Sequence, residues 1–112
     1  MNGDDDRYVE KVLDLYLGLP QTPSRISRDD RRLALKLRQQ QTPLETVEAA
    51  LLLATARRSF RAPALGPLQP IRSLHYFLPV IEEVAAGGVS ADYLHYLRYK
   101  LAPLLSQNAV SK

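Results

Sequence analysis

The sequence has no cysteine, no tryptophan and only two histidines, His75 and His95, in 112 residues. Without thiols there is neither a disulfide framework nor a thiolate metal site, and two histidines are too few for a zinc cluster. Its five glycines, Gly3, Gly18, Gly66, Gly87 and Gly88, form no glycine-rich strand-to-helix turn, which argues against a phosphate cradle and nucleotide hydrolysis. No apolar run approaches the ~18 residues that span a bilayer, and the acidic start Asp4-Asp5-Asp6 is unlike the basic leader of a secreted chain. The expectation is a cytoplasmic protein with no membrane partner, no metal and no small-molecule cofactor.

A catalytic apparatus is equally hard to find. A nucleophile needs a base within hydrogen-bond reach and that base needs an orienting partner, yet both histidines sit in aromatic stretches that read as partly buried packing. The carboxylate pairs Asp29-Asp30 and Glu82-Glu83 are adjacent on helical segments, so their side chains diverge by about 100° and do not meet on one substrate atom. An enzyme would need a convergent polar pocket that the sequence does not advertise, so a non-catalytic role is expected.

What the chain has is helical periodicity. With 46% hydrophobic and 24% charged residues it has globular composition, and a chain of this length supports one core. Tyr8, Val12, Leu15, Tyr16 and Leu19 recur at three- and four-residue spacing from Asp6 to Leu17, with carboxylates at the positive end of the helix dipole and Gly18 and Pro20 after it. Ser27 predicts the N-cap of a second helix reaching about Gln40, with Leu33, Leu35 and Leu37 within it. Thr42-Pro43-Leu44-Glu45 reads as a capping box opening a third helix, apolar nearly all round from Val47 to Ala56 and therefore central.

Residues 62–70 hold three prolines and predict an extended loop, with Leu65 and Leu68 packed on the body. In Ile71 to Val84, Pro79 either kinks a helix or marks its start. Ser90 predicts the cap of a last helix from Ala91 to Leu105, with a stripe of Tyr93, Leu94, Leu97, Leu101 and Leu104 and an end frayed by Pro103. The fold expected is all-α: a compact orthogonal bundle of about five helices over residues 1–106, with a proline-rich loop between the third and fourth and a mobile tail over 107–112.

Charge is unevenly distributed. Residues 1–24 hold two basic and five acidic side chains, residues 25–72 ten and four, and residues 73–112 three of each. An anionic partner would therefore feel the middle of the chain. Arg28, Arg31, Arg32 and Lys36 recur on the second helix, while Arg57, Arg58, Arg61 and Arg72 flank the loop. Such residues can neutralise phosphates without reading bases, and Tyr76 or Phe77 could stack on single-stranded bases. Solvation and helix capping explain the same cations, and core packing the same aromatics. Residues 27–60 also contain two helices joined by a short turn, but the second is too apolar to lie in a major groove.

The stretch Thr42-Pro43-Leu44-Glu45-Thr46-Val47-Glu48-Ala49-Ala50-Leu51-Leu52-Leu53-Ala54, followed by basic residues and then Ser73 to Val84, resembles the C-terminal domain of the DnaD family of bacterial and phage replication-initiation proteins. The resemblance covers roughly residues 24–85. In that family an amphipathic helix precedes a segment patterned Tyr-x-x-x-Ile-Leu-x-x-Trp that contributes to DNA binding, and Tyr76, Val80, Ile81 and Val84 fall on its four places. Val84 stands where the family has an aromatic residue, and Pro79 lies inside the pattern. Ile71 to Val84 also looks like a segment of uncharacterised bacterial proteins. The resemblance implies a bacterial DNA-binding or replication-complex accessory protein, with DNA, single- or double-stranded, or replication proteins as partners. The alternative is an interaction or self-association module presenting Tyr93, Tyr96 and Tyr99, which lie three apart on the last helix.

Overall fold

A computed structural model describes residues 3–23, 25–61, 63–66, 68–87 and 89–109. Among these residues five α-helices follow one another: α1 (Gly3–Leu17), α2 (Arg28–Gln39), α3 (Leu44–Ser59), α4 (Leu78–Gly87) and α5 (Ala91–Ala109), with single 3₁₀ turns at Pro63–Leu65 and Leu74–Phe77. There is no strand among the described residues, so the molecule is an all-α bundle. None of its described helices is long and apolar enough to cross a membrane.

Helix α3 is the axis of the bundle. Val47 and every residue from Ala49 to Ala56 are buried, because α1, α4 and α5 all pack against this helix. Its one buried hydroxyl, on Thr55, donates to the Leu51 carbonyl at 2.7 Å and so is satisfied within the helix. Helix α1 contributes Tyr8, Val9, Val12, Leu13 and Tyr16 to the core, and α2 contributes Leu33, Ala34 and Leu37. Arg31 pairs with Glu10, and Arg38, two turns further along α2, pairs with Asp5 at 2.9 Å, so α1 and α2 run antiparallel. The Arg38 guanidinium also lies 5.7 Å from the centre of the Tyr8 ring.

The start of α2 follows its sequence signal and adds a link the signal does not show. The Asp30 N–H donates to Ser27 Oγ and the Ser27 N–H to Asp30 Oδ2, both at 3.0 Å, which makes a reciprocal capping box. The other carboxylate oxygen of Asp30 accepts from the Leu74 N–H at 2.9 Å, and the residue is 1% exposed. One buried carboxylate thus ties α2 to the turn that leads into α4.

The start of α3 differs from expectation. Thr42 caps nothing there; Pro43 is the N-cap residue, without a side-chain cap bond, and Leu44 opens the helix. Thr42 is engaged in closing α2: its N–H donates to the Leu37 carbonyl, the Gln41 N–H donates to the Arg38 carbonyl, both at 3.0 Å, and Gln41 is left-handed at φ +63°. That is a Schellman closure with glutamine where glycine costs least. The Thr42 carbonyl accepts from the Tyr8 hydroxyl at 2.7 Å. Gln41→Gly is therefore expected to raise stability by about 0.5–1 kcal/mol in urea denaturation; a loss of stability would contradict this reading.

Pro79 is the second residue of α4, where its missing N–H costs nothing, so it marks a start rather than a kink. In the Leu74–Phe77 turn, side chains three apart share a face: Leu74 and Phe77 are buried while His75 and Tyr76 point outward. His95 is exposed as well, two residues and about 200° from buried Leu97. The expectation of packed histidines is thus overturned. The loop leucines also stand out, Leu65 at 65% and Leu68 at 43% exposure, because polar contacts from arginines rather than apolar docking hold this segment.

Helix α5 begins after Ser90, whose Oγ accepts from the Tyr93 N–H at 3.1 Å, and it continues through Pro103 to Ala109. The expected tail is therefore helical over its first three residues; residues 110–112 lie outside those described. Leu97 and Leu101 face the core, but Tyr93 leaves the expected apolar stripe.

Phe77 meets the Tyr16 ring edge-on at a 6.1 Å centroid distance. The Tyr16 hydroxyl is buried without a hydrogen-bond partner among the described residues. Burial, reinforced by the Asp30 carboxylate, pushes the Tyr16 phenol up to about 12; burial pushes Tyr8 up to about 12 against the pull of Arg38.

Candidate nucleic-acid interface

The basic side chains fall into two groups joined by one stretch of chain. On α2 the buried residues Asp30, Leu33, Ala34 and Leu37 define an inner face, and helical geometry puts Arg28, Arg32 and Lys36 on the opposite one. The side chains of Arg28 and Lys36 have no hydrogen bond or ion pair among the described residues. Arg32 makes a 3.5 Å ion pair with Asp29, both side chains being largely exposed. Arg31 departs from the group, turning toward α1 to meet Glu10.

The second group lies where α3 ends. Arg57, Arg58 and Arg61 line an open cleft of about 310 Å³ with Ala54, Leu68, Tyr76 and Val80. The depression continues past Arg58, Arg61 and Leu68 toward Gln21, Gly66 and Pro70. Segment 72–76 connects the groups, since Leu74 is held by Asp30 in the first turn of α2 and Tyr76 contacts Arg58. Arg72, on that segment, is exposed and has no hydrogen bond or ion pair among the described residues.

These arginines are not equivalent. Arg58 gives two N–H groups to Gln21 Oε1, at 2.7 and 3.2 Å, one to the Gln69 carbonyl at 2.9 Å and one to the Tyr76 hydroxyl at 3.2 Å. Its guanidinium also lies 5.3 Å from the centre of the Tyr76 ring. Of the five N–H groups a guanidinium carries, one is left. Arg58 therefore clasps the α1–α2 connector, the loop and the Tyr76 turn around the cleft, and offers a ligand little more than its charge. Gln21, left-handed at φ +66°, is the far anchor of this clasp.

Arg57 holds Glu83 of α4 with two bonds of 2.9 and 2.6 Å, and this hydrogen bond keeps the Glu83 carboxyl below its ordinary range and raises Arg57. Arg61 donates to the Leu65 carbonyl at 3.3 Å, a long contact that leaves most of its donors free. Tyr76 is 42% exposed, and its ring makes a T-shaped contact with Phe77 at a 5.1 Å centroid distance. An anion entering the cleft would meet Arg61 and Arg57 directly, Arg57 by exchanging Glu83 for phosphate.

Sequence reasoning named the cations of this cleft but not the groups that hold them. Gln21, Gln69 and Glu83 lie 37, 11 and 26 residues from their arginine partners, and no periodicity announces such pairs. Two further bonded pairs were hidden the same way, Arg38 with Asp5 and Arg98 with Glu48, the latter joining α5 to α3 at 2.7 Å.

An apolar groove of about 380 Å³ lies between α1, α3 and α5, lined by Leu15, Leu19, Leu51, Leu52, Ala102 and Leu105. Its charged residues are Asp14 and the mutually bonded Glu48 and Arg98. No group of three potential metal ligands occurs among the described residues. The three tyrosines of α5 are exposed, and the Tyr93 and Tyr96 rings stack with centroids 6.1 Å apart. The chain matches no protein-family model, no curated protein and no solved structure.

Proposed function

We propose that this chain is a non-catalytic, cytoplasmic DNA-binding or replication-complex accessory domain of bacterial or phage origin. It would engage phosphates with Arg57, Arg61 and Arg72 and the outer face of α2, Arg28, Arg32 and Lys36. The observation that carries this reading is the convergence of Arg57, Arg58 and Arg61 with the exposed Tyr76 ring on one open cleft. Cations beside a partly exposed aromatic ring are what a nucleic-acid backbone and an unstacked base require. The resemblance of residues 42–54 and 73–84 to the DnaD C-terminal domain points the same way, and Tyr76 is common to both arguments.

Fluorescence anisotropy of labelled oligonucleotides at low salt tests it. Binding in the micromolar range is expected, and absence of binding would overturn the reading. Because Glu83 competes with phosphate for Arg57, Glu83→Gln is expected to tighten binding about two- to tenfold; unchanged affinity would mean that Arg57 does not reach the ligand.

The exposure of Tyr93, Tyr96 and Tyr99 favours a second reading, in which α5 is a protein-interaction surface. Hydroxyl-radical footprinting inside cells would then show Tyr96 and Tyr99 protected relative to dilute purified protein, and equal labelling would contradict it.

A further inference from the structure

Helix α5 is 19 residues long, yet among its described side chains only Leu97 and Leu101 are fully buried. The flank beside them, centred on Tyr96, carries three exposed aromatic residues: Tyr93 is 44%, Tyr96 49% and Tyr99 76% exposed. Phe60 at the end of α3, itself 53% exposed, lies beside this helix at Lys100, whose ammonium is 5.7 Å from its ring centre. Monomeric proteins seldom expose contiguous apolar patches without a use for them.

The order of residues on this face is symmetric in size and antisymmetric in charge. Reading outward from Tyr96, the helix presents Tyr93 and Tyr99 three residues to either side, then Asp92 and Lys100 four residues to either side. From this pattern we infer that α5 pairs antiparallel with α5 of a second copy of the chain, across a two-fold axis beside Tyr96.

In that register Tyr96 meets the partner's Tyr96, Tyr93 faces the partner's Tyr99, and Asp92 faces the partner's Lys100, twice over. A two-fold interface must be self-complementary, and a helix with its acid at one end and its base at the other satisfies this only when antiparallel. A partner surface of a single charge sign would leave Asp92 or Lys100 opposed by its own sign. Tyrosine hydroxyls both donate and accept, so they pair with their own kind. A helix about 28 Å long buries less than a standard interface, so the dimer dissociates on dilution.

This inference rests on the reading of α5 as an interaction surface and is independent of DNA binding. Sedimentation equilibrium from about 10 µM to about 1 mM is expected to show a monomer–dimer equilibrium. Asp92→Lys and Lys100→Glu are each expected to weaken association at least about tenfold, and the double variant to restore it to within about threefold of the original. Circular dichroism confirms that each variant is folded; should Asp92→Lys unfold, Tyr99→Glu replaces it and must dissociate the dimer.

A chain monomeric at every concentration overturns self-pairing, while the footprint of Tyr96 and Tyr99 in cells separately decides whether α5 meets some other protein. A dimer indifferent to both single substitutions, or one that the double substitution does not restore, overturns this register.

Discussion

Asp30→Ala is expected to lower the free energy of unfolding by about 3 kcal/mol and the melting midpoint by about 10 °C or more. The carboxylate is buried and accepts two backbone N–H groups, those of Ser27 and Leu74, which have no other hydrogen-bond partner among the described residues. A hydrogen bond to a charged group contributes about 1.5–3 kcal/mol, and an orphaned buried donor forfeits its hydration as well. Loss of an ordinary helix cap costs about 1 kcal/mol, so the excess over that value measures the link to Leu74. Asp30→Asn keeps the shape and one acceptor oxygen and should fall about midway. Urea denaturation of the three proteins checks the ordering, and an Asp30→Ala variant within about 1 kcal/mol of the parent would show that the Leu74 bond contributes nothing.

The second large effect concerns binding. Reversing charge at both Arg57 and Arg61 is expected to reduce affinity for oligonucleotides about 10- to 100-fold and to lower the salt slope by about two, since each reversal removes a phosphate contact and adds a repulsion. Arg57 and Arg61 are preferred to Arg58 for this test. Arg58 holds Gln21, Gln69 and Tyr76 together, so its replacement would reshape the cleft as well as remove charge. Unfolding midpoints within a few degrees of the parent would establish that the loss is one of contact. An undiminished affinity would remove the α3 end from the interface and leave the α2 face, with Arg28, Arg32 and Lys36, as the remaining basic surface.

Both effects depend on contacts across the bundle, which divides what the sequence reveals from what it conceals. The identity of α3 as the central helix is legible because a run apolar on all sides has nowhere else to go. The cap at Ser27 is legible because its partner is three residues away. The Thr42 box fails because the same threonine is needed to close α2 through left-handed Gln41, a competition between neighbouring helices that no single motif describes. Pro79 is ambiguous until the Leu74–Phe77 turn is seen to precede α4.

The candidate site divides along the same line. Its cations could be named from charge clustering, and Tyr76 from its place in the resembling segment. Their inequality could not be read: Arg31 turned away to Glu10, Arg58 nearly saturated, Arg57 matched to Glu83. Each depends on a partner in another helix or loop. The exposed tyrosines of α5 illustrate the converse, since their three-residue spacing was visible while their outward orientation depended on where Leu97 and Leu101 meet α3.

The most direct test of the basic cleft as a phosphate-binding surface is the salt dependence of oligonucleotide binding by the unmodified chain. Anisotropy titrations with single- and double-stranded probes are expected to give log K falling linearly with log salt, with a slope corresponding to about three to five phosphate contacts. Binding insensitive to salt, or none at the lowest salt used, would contradict the account.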